Sequence, residues 1–265
     1  MILLVDVGNS RIKWAIWEQG RFTRRGHLFH RKVALDQLGE RLWSDLPCPT
    51  QIHIANVAGA QLAFALEAWV RRNWRIGVQF AVTQAVGFGV RNAYPVPGQL
   101  GIDRWVAMVG ARAQTEKACC VVDCGTAITI DALSSQGAHL GGVIFPGARL
   151  MRQVLFRETQ QIPISPQGRL TLFGNTTQDC VWGGTVHAVA AAIDGMTTRM
   201  RADLGDDVEC LLTGGDAEDL LPYLQGGYRL MPELIFEGLL VIAAQGPEKK
   251  RLSQGDAFDL IGQRQ

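Results

Sequence analysis

Apolar side chains run unbroken from Ile2 to Val5, stop at Asp6, and resume between Ile12 and Trp17 after a turn carrying Gly8. Two apolar runs around a glycine-bearing turn predict a β-hairpin. The pattern then returns. ILLVDVGNSRIKWAIWEQG (residues 2–20) and CCVVDCGTAITIDALSSQG (residues 119–137) align without a gap, placing Asp6 on Asp123, Gly8 on Gly125 and Gln19-Gly20 on Gln136-Gly137. A repeat at this spacing predicts a duplication, with two similar units facing a shared cleft. In each copy the aspartate falls where the first strand meets the turn. A carboxylate directly after a buried strand is costly unless it is paired, coordinates a cation or opens onto a cleft.

The remaining pattern alternates strands with helices. Helical spacing appears over residues 35–43, in the amphipathic stretch Ala60–Trp74 with its basic face, over 105–113, and in the Ala-rich stretch 184–200. Strands are predicted over 51–57, 141–147 and 209–213, the last ending in Gly214-Gly215. The result is an α/β chain divided into residues 1–116, residues 117–245 and a charged, polar tail over 246–265 that is helical or frayed.

Composition narrows the function. Of 265 residues, 47% are hydrophobic and 19% charged, which is globular. Lys plus Arg number 26 against 25 Asp plus Glu, so a net charge of +1 gives no bulk attraction to nucleic acid or an anionic membrane surface. No stretch approaches the roughly 20 apolar residues that span a bilayer, and MILLV lacks the basic flank and length of a signal peptide, so a cytoplasmic location is expected. The six cysteines (48, 119, 120, 124, 180 and 210) show neither a Cys-x-x-Cys pair nor histidines at zinc-ligand spacing, and are expected as buried free thiols. Trp69 and Trp74 flank Arg71-Arg72, which reads as a core face with solvated arginines rather than a base-stacking patch.

Phosphate chemistry is the reading that the duplicated turns support. Backbone N–H groups in a glycine turn at a strand end can cradle phosphate oxygens, and an aspartate at its lip can hold hydrated Mg²⁺. A merely structural turn has little reason to keep that acid twice. Gly214-Gly215-Asp216 is either a place for a nucleotide to pass close to the backbone or a plain strand-to-helix turn. For Leu100-Gly-Ile-Asp-Arg-Trp105, spacing alone favours Asp103 as a helix N-cap, with Arg104 in the first turn. The competing reading makes Asp103 a general base and Arg104 an anion clamp. No Walker loop, Gly-x-Gly-x-x-Gly or Gly-x-Ser-x-Gly element is present.

DVGNSRIK (residues 6–13), RNAYPVPGQLGIDRW (91–105), VVDCGTAITID (121–131), GGVIFPG (141–147) and TGGDA (213–217) together resemble the type III pantothenate kinases, in order over residues 1–245. The resemblance implies two duplicated ribonuclease H-like domains around a central cleft, the ATPase fold of actin, Hsp70 and sugar kinases. It implies transfer of phosphate from ATP to pantothenate, giving 4′-phosphopantothenate in the first step of coenzyme A synthesis. Asp6, Val7, Gly8, Asn9, Ser10, Arg11, Ile12 and Lys13 would bind ATP phosphates, with Asp6 on Mg²⁺. Gly125 and Thr126 would form the second phosphate contact, and Gly214 and Gly215 the adenosine turn. Asp103 would be the catalytic base, while Tyr94, Gly101, Ile102 and Arg104 would contact pantothenate. Asp123 would hold a monovalent cation, K⁺ or NH₄⁺. Thr176, seven residues before Gly183, would contact substrate near a homodimer interface, although the adjoining Thr177 fits nearly as well. Ser10 stands where the family commonly has threonine, and keeps the hydroxyl.

Two rivals share the fold. A non-catalytic nucleotide-binding regulator would need the phosphate turns but no acid beside an anion clamp. An ATPase or polyphosphate hydrolase would position water instead of an alcohol.

Overall fold

The computed structural model describes residues 1–162, 168–205 and 207–245; the expected tail, 246–265, lies outside the described residues. The chain opens with an antiparallel meander, β1 (Ile2–Val7), β2 (Arg11–Glu18) and β3 (Arg21–Phe29). Then come α1 (Leu38–Trp43), β4 (Gln51–Asn56), α2 (Ala60–Trp74) and β5 (Gln79–Phe80), with β4 parallel to β1 and β5 parallel to β4. A ribbon of β6 (Val86–Gly87) and β7 (Val90–Arg91) leads into α3 (Ile102–Gln114).

The second half repeats the plan. β8 (Ala118–Cys124), β9 (Ala127–Leu133) and β10 (His139–Pro146) form a meander, followed by α4 (Ala148–Glu158), α5 (Thr177–Leu204), β11 (Val208–Thr213), α6 (Ala217–Leu220), β12 (Tyr228–Leu230) and α7 (Leu234–Gln245). The sheet orders β3-β2-β1-β4-β5 and β10-β9-β8-β11-β12 are the same order twice. The duplication read from two short motifs therefore extends over whole sheets.

Both faces of β1 and β8 are covered, which is why they read as unbroken apolar runs. Leu3, Val5 and Val7 pack with Ile12 and Trp14 against Leu42 and Trp43 of α1 and Leu66 and Val70 of α2. Leu4, Ala15 and Ala55 face the other way, into a central core with Trp105 and Met108 of α3, Leu234 and Leu239 of α7, and Cys119 and Val121 of β8. The outer face of β8 packs Cys120, Val122 and Cys124 on Val186, Val189 and Ile193 of α5. Since side chains alternate along a strand, Asp6 shares the inner face with Leu4, and Asp123 shares it with Val121. Both acids thus emerge at the rim of the core held by α3 and α7.

Those two helices touch backbone to backbone. A Cβ on Gly110 would strike the Leu234 carbonyl, and one on Gly238 the Val106 carbonyl. Neither obstacle is a side chain that can turn aside. Gly238→Ala is therefore expected to cost about 1–3 kcal/mol of stability, the usual range for overpacking. An unchanged urea midpoint would refute it.

The stretch 141–147 covers all but the first two residues of β10 and runs one residue past its end, 184–200 is the middle of the longer α5, and β3, α4 and α7 were not predicted. Trp43, Trp69 and Trp74 cluster with ring centroids 4.9–5.9 Å apart, leaving Arg71 and Arg72 exposed, as the core-face reading requires. Four cysteines are buried, but Cys48 and Cys180 are exposed, one in the loop before β4 and the other in the first turn of α5. Burial pushes the Cys119 thiol up to about 12, which leaves it unreactive at neutral pH. Among the described residues no helix is long and apolar enough to cross a membrane.

Candidate active site

Both hairpin turns open into one cleft, lined by Asp6, Ser10 and Lys13 from the first half, Asp123, Thr126 and Thr129 from the second, and Asp103, Arg149 and Asp216. The turns are built alike. The Gly8 N–H donates to the Arg11 carbonyl and the Gly125 N–H to the Ala127 carbonyl, each at 3.1 Å. In the first turn the carbonyls are held as well, with His30 Nε2 donating to Gly8 at 2.8 Å and Arg31 Nε to Asn9 at 3.2 Å. The two turns meet at their hydroxyls, Ser10 Oγ lying 3.0 Å from Thr126 Oγ1.

The strand ladders correct the gapless alignment of the repeat. Asp6 lies opposite Lys13, but Asp123 lies opposite Thr129, not Ile130. The second turn is one residue shorter, and the difference is recovered in the next connection. Gln19-Gly20 makes a two-residue turn at φ 52° and 76°, whereas Ser134 to Ala138 span five residues. A slip of one residue flips every side chain of a strand. The shorter turn is thus what brings Thr129 into the cleft as the counterpart of Lys13.

The aspartates are held under electrostatic stress. Burial, opposed by Lys13 and reinforced by Asp123 and Asp103, pushes the Asp6 carboxyl up to about 7. Burial also raises Asp123 to about 6, with Lys13 opposing and Asp103 and Asp131 reinforcing, and it raises Asp103. Carboxylates crowded this way accept hard cations through oxygen. Among the described residues no cluster of three or more His, Cys, Asp or Glu side chains forms an all-protein metal cage.

Such a shift has a sign in stability. In metal-free protein the native state keeps the Asp6 proton at pH values where the unfolded chain has lost it. That contribution is full below about 4 and is lost as pH rises through about 7. Asp6→Asn should therefore gain stability relative to wild type between pH 5 and pH 8, on the order of a few kcal/mol. Urea unfolding in a chelator at both pH values measures it. A relative loss at pH 8 would contradict this origin of the shift.

Asp103 stands at the head of α3, but not as its cap. Gly101 occupies the N-cap in extended conformation, and Asp103 falls in the first turn, its Oδ1 accepting the Arg104 N–H at 2.8 Å. The N-cap expectation is corrected by one turn geometry: the helix starts two residues earlier than that reading needs, which frees the carboxylate for the cleft. Arg104 is only 6% exposed and already engaged. Its Nε and Nη2 donate to Asp131 at 2.9 and 2.5 Å, and Nη1 donates to the Tyr94 hydroxyl at 3.0 Å. His139 Nε2 donates to Asp131 Oδ1 at 2.9 Å, and its ring stacks on Tyr94 at 6.2 Å. Burial alone would raise Asp131, yet the hydrogen bonds from His139 and Arg104 outweigh it and bring the carboxyl below its usual range.

Two other expected site elements lie differently. Gly214 (φ 104°) packs so tightly that a Cβ would strike Asp123 and the Cys124 carbonyl, and the Asp216 N–H donates to that carbonyl at 2.9 Å. The glycine pair is thus already required by the end of β8. Thr176 caps α5 by accepting the Asp179 N–H at 3.1 Å. With Thr177 it lines a separate hollow of about 850 Å³, walled by Met151 and Leu155 of α4 and Val181 of α5, and does not meet Asp103 in this chain.

Thr129, Asp131, His139 and Arg149 carry site contacts that motif reading passed over. Asp131 had a visible signal, an acid inside the apolar strand AITIDAL. Arg149 had none, because α4 itself was not predicted.

Two sheets of identical order, with acidic glycine turns meeting over a shared cleft, define a protein of the ATPase fold found in actin, Hsp70 and sugar kinases. Solved structures agree at the level of fold. An activator of 2-hydroxyisocaproyl-CoA dehydratase from Clostridium difficile with bound ADPNP covers 92% of this chain and 94% of its own (TM-score 0.55, 11% identity). A Baf family transcriptional activator from Campylobacter jejuni covers 92% and 98% (TM-score 0.58, 24% identity). The family model for type III pantothenate kinase matches residues 2–199. Type III pantothenate kinases of Nitrosococcus oceani (35% identity, 95% of this chain and 97% of theirs) and Aromatoleum aromaticum (39%, 92% and 98%) match nearly end to end. The chain belongs to the type III pantothenate kinase family.

Proposed function

We propose that the cleft transfers the γ-phosphoryl group of ATP to the primary hydroxyl of pantothenate, giving ADP and 4′-phosphopantothenate. What carries this reading is the convergence of two duplicated aspartate-bearing turns and one acid on a different element, Asp103, in a single cleft. Residues Asp6 to Lys13 and the Gly125-Thr126 turn take the polyphosphate, and Gly214-Gly215 the adenosine side. Asp103 orients the substrate hydroxyl and accepts its proton as the oxygen bonds to phosphorus and the bond to the ADP oxygen breaks. The loose transition state of such a transfer makes positioning the main task, so Asp103 needs no extreme basicity.

Asp6, with Mg²⁺ carried in on ATP, and Asp123, with K⁺ or NH₄⁺, are the residues that would hold cations. Those ions neutralise polyphosphate charge beside two carboxylates. Tyr94, Gly101, Ile102 and Arg104 form the pantothenate side. Because Asp131 already balances the Arg104 charge, Arg104 serves as a rigid donor there more than as a free counter-ion. We take the halves to divide near Glu116, the protein to act in the cytoplasm, and the enzyme to be a homodimer in which the hollow at Thr176 lies near the partner.

ADP release measured with and without pantothenate tests the reading. Release dependent on pantothenate supports it. Release without pantothenate indicates a hydrolase, and no release indicates the regulator.

A further inference from the structure

Arg149, in the first turn of α4, reaches the point where the hydroxyls of the two turns meet. Its Nη2 donates to Ser10 Oγ at 3.2 Å and to Thr126 Oγ1 at 3.3 Å, the same hydroxyls that lie 3.0 Å apart. Two hydroxyls and a guanidinium thus converge across the seam. No carboxylate lies within 4.0 Å of this guanidinium among the described residues; Asp216 acts on it only at longer range. An exposed arginine normally trails into solvent or takes an acidic partner. This one rests on two weak neutral acceptors that are themselves donors.

Its placement is fixed from behind. The Gly147 N–H donates to the Thr126 carbonyl at 3.1 Å, and a Cβ on Gly147 would come within 3.0 Å of that oxygen, so the start of α4 lies against the second turn with no room for a side chain. The seam therefore offers two hydroxyl donors, a cation and adjacent glycine-turn amides, with its acids, Asp6 and Asp123, deeper in the same cleft.

We propose that Arg149 is a catalytic residue that contacts the β- and γ-phosphoryl oxygens, bridging the two turns through the polyphosphate and supplying positive charge as the transfer proceeds. The proposal rests on the kinase reading of this cleft. A guanidinium presents a planar fork that matches phosphate oxygens, and it cannot lose its proton near neutral pH. When an anion enters, Arg149 exchanges two neutral hydroxyl contacts for a charge-assisted one, leaving Ser10 and Thr126 free to donate as well.

The test compares Arg149→Gln, Arg149→Lys and a control, Arg157→Gln, farther along the same helix. Calorimetric titration with a non-hydrolysable ATP analogue and steady-state turnover are read together. Arg149→Gln is expected to bind the analogue about 10- to 100-fold more weakly and to lose about 10²–10³-fold in kcat, as when one pre-organised donor to developing charge is removed. Arg149→Lys should fall between it and wild type, with the thermal midpoint of the unliganded protein unchanged. Analogue affinity and kcat equal to those of Arg157→Gln would overturn the proposal, as would a loss fully explained by a lower thermal midpoint. A wild-type protein that bound the analogue but did not phosphorylate pantothenate would sink the kinase reading instead, and the titrations would still decide Arg149.

Discussion

Replacing Asp103 by asparagine is expected to lower kcat for pantothenate phosphorylation by about 10²–10⁴-fold, the range for loss of a positioned base, while affinity for ATP stays within a few-fold of wild type. The separation follows from the architecture. The polyphosphate is held by turns at the ends of β1 and β8, whereas Asp103 comes from the head of α3, so the change removes the group that receives the proton without touching the phosphate turns. Asparagine keeps the volume and one acceptor oxygen but has no carboxylate to take a proton. Burial already raises the Asp103 carboxyl, so removing its charge should also relax Asp6 and Asp123, and apo-protein stability should hold or rise slightly. Pre-steady-state and steady-state turnover in the presence of saturating ATP check the first part. Near-wild-type kcat would remove Asp103 from the base role.

The second large effect is on stability. Asp131→Asn should destabilise the protein by about 3–5 kcal/mol, because it leaves the buried Arg104 guanidinium without its counter-charge. Asp131 is 2% exposed and Arg104 6%, so water cannot replace the lost partner. The stranded charge would also loosen Tyr94 and His139, which meet at the same cluster. Should the single variant fail to fold, Asp131→Asn combined with Arg104→Met gives the decisive comparison. Removing both charges should cost much less than removing one, and equal or additive losses would show that the pair is not coupled.

The sequence displayed the parts of the site that are repeated, and little of what is not. Asp6 and Asp123 were legible because an acid after an apolar strand is expensive and occurs twice. The register was not, since a one-residue deletion in one turn and a longer connection in the next cancel in the alignment and hide Thr129. β3 was invisible for a different reason. Its RFTRRGHLF carries exposed arginines at a sheet edge, a pattern that deters pairing with other chains but hides apolar alternation. LIFEGLLVIAAQ of α7 is apolar on nearly every side because it lies between two sheets, so helical periodicity fades there. Arg104 was found on α3, but its partner Asp131 is on β9, and no local pattern announces a contact 27 residues away.

The place of α7 bears on how the molecule is made. This helix follows the whole second sheet in the chain, yet Leu234, Phe236 and Leu239 close the core over Leu4, Ala15 and Ala55 of the first, and Phe22 meets Phe236 at 6.3 Å between ring centroids. A nascent first half therefore carries an incompletely covered apolar sheet face until α7 leaves the ribosome. At roughly 5–20 residues per second that exposure lasts on the order of ten seconds or more. Folding of the two halves cannot be strictly sequential: the first sheet is completed by a helix that is made only after the second sheet.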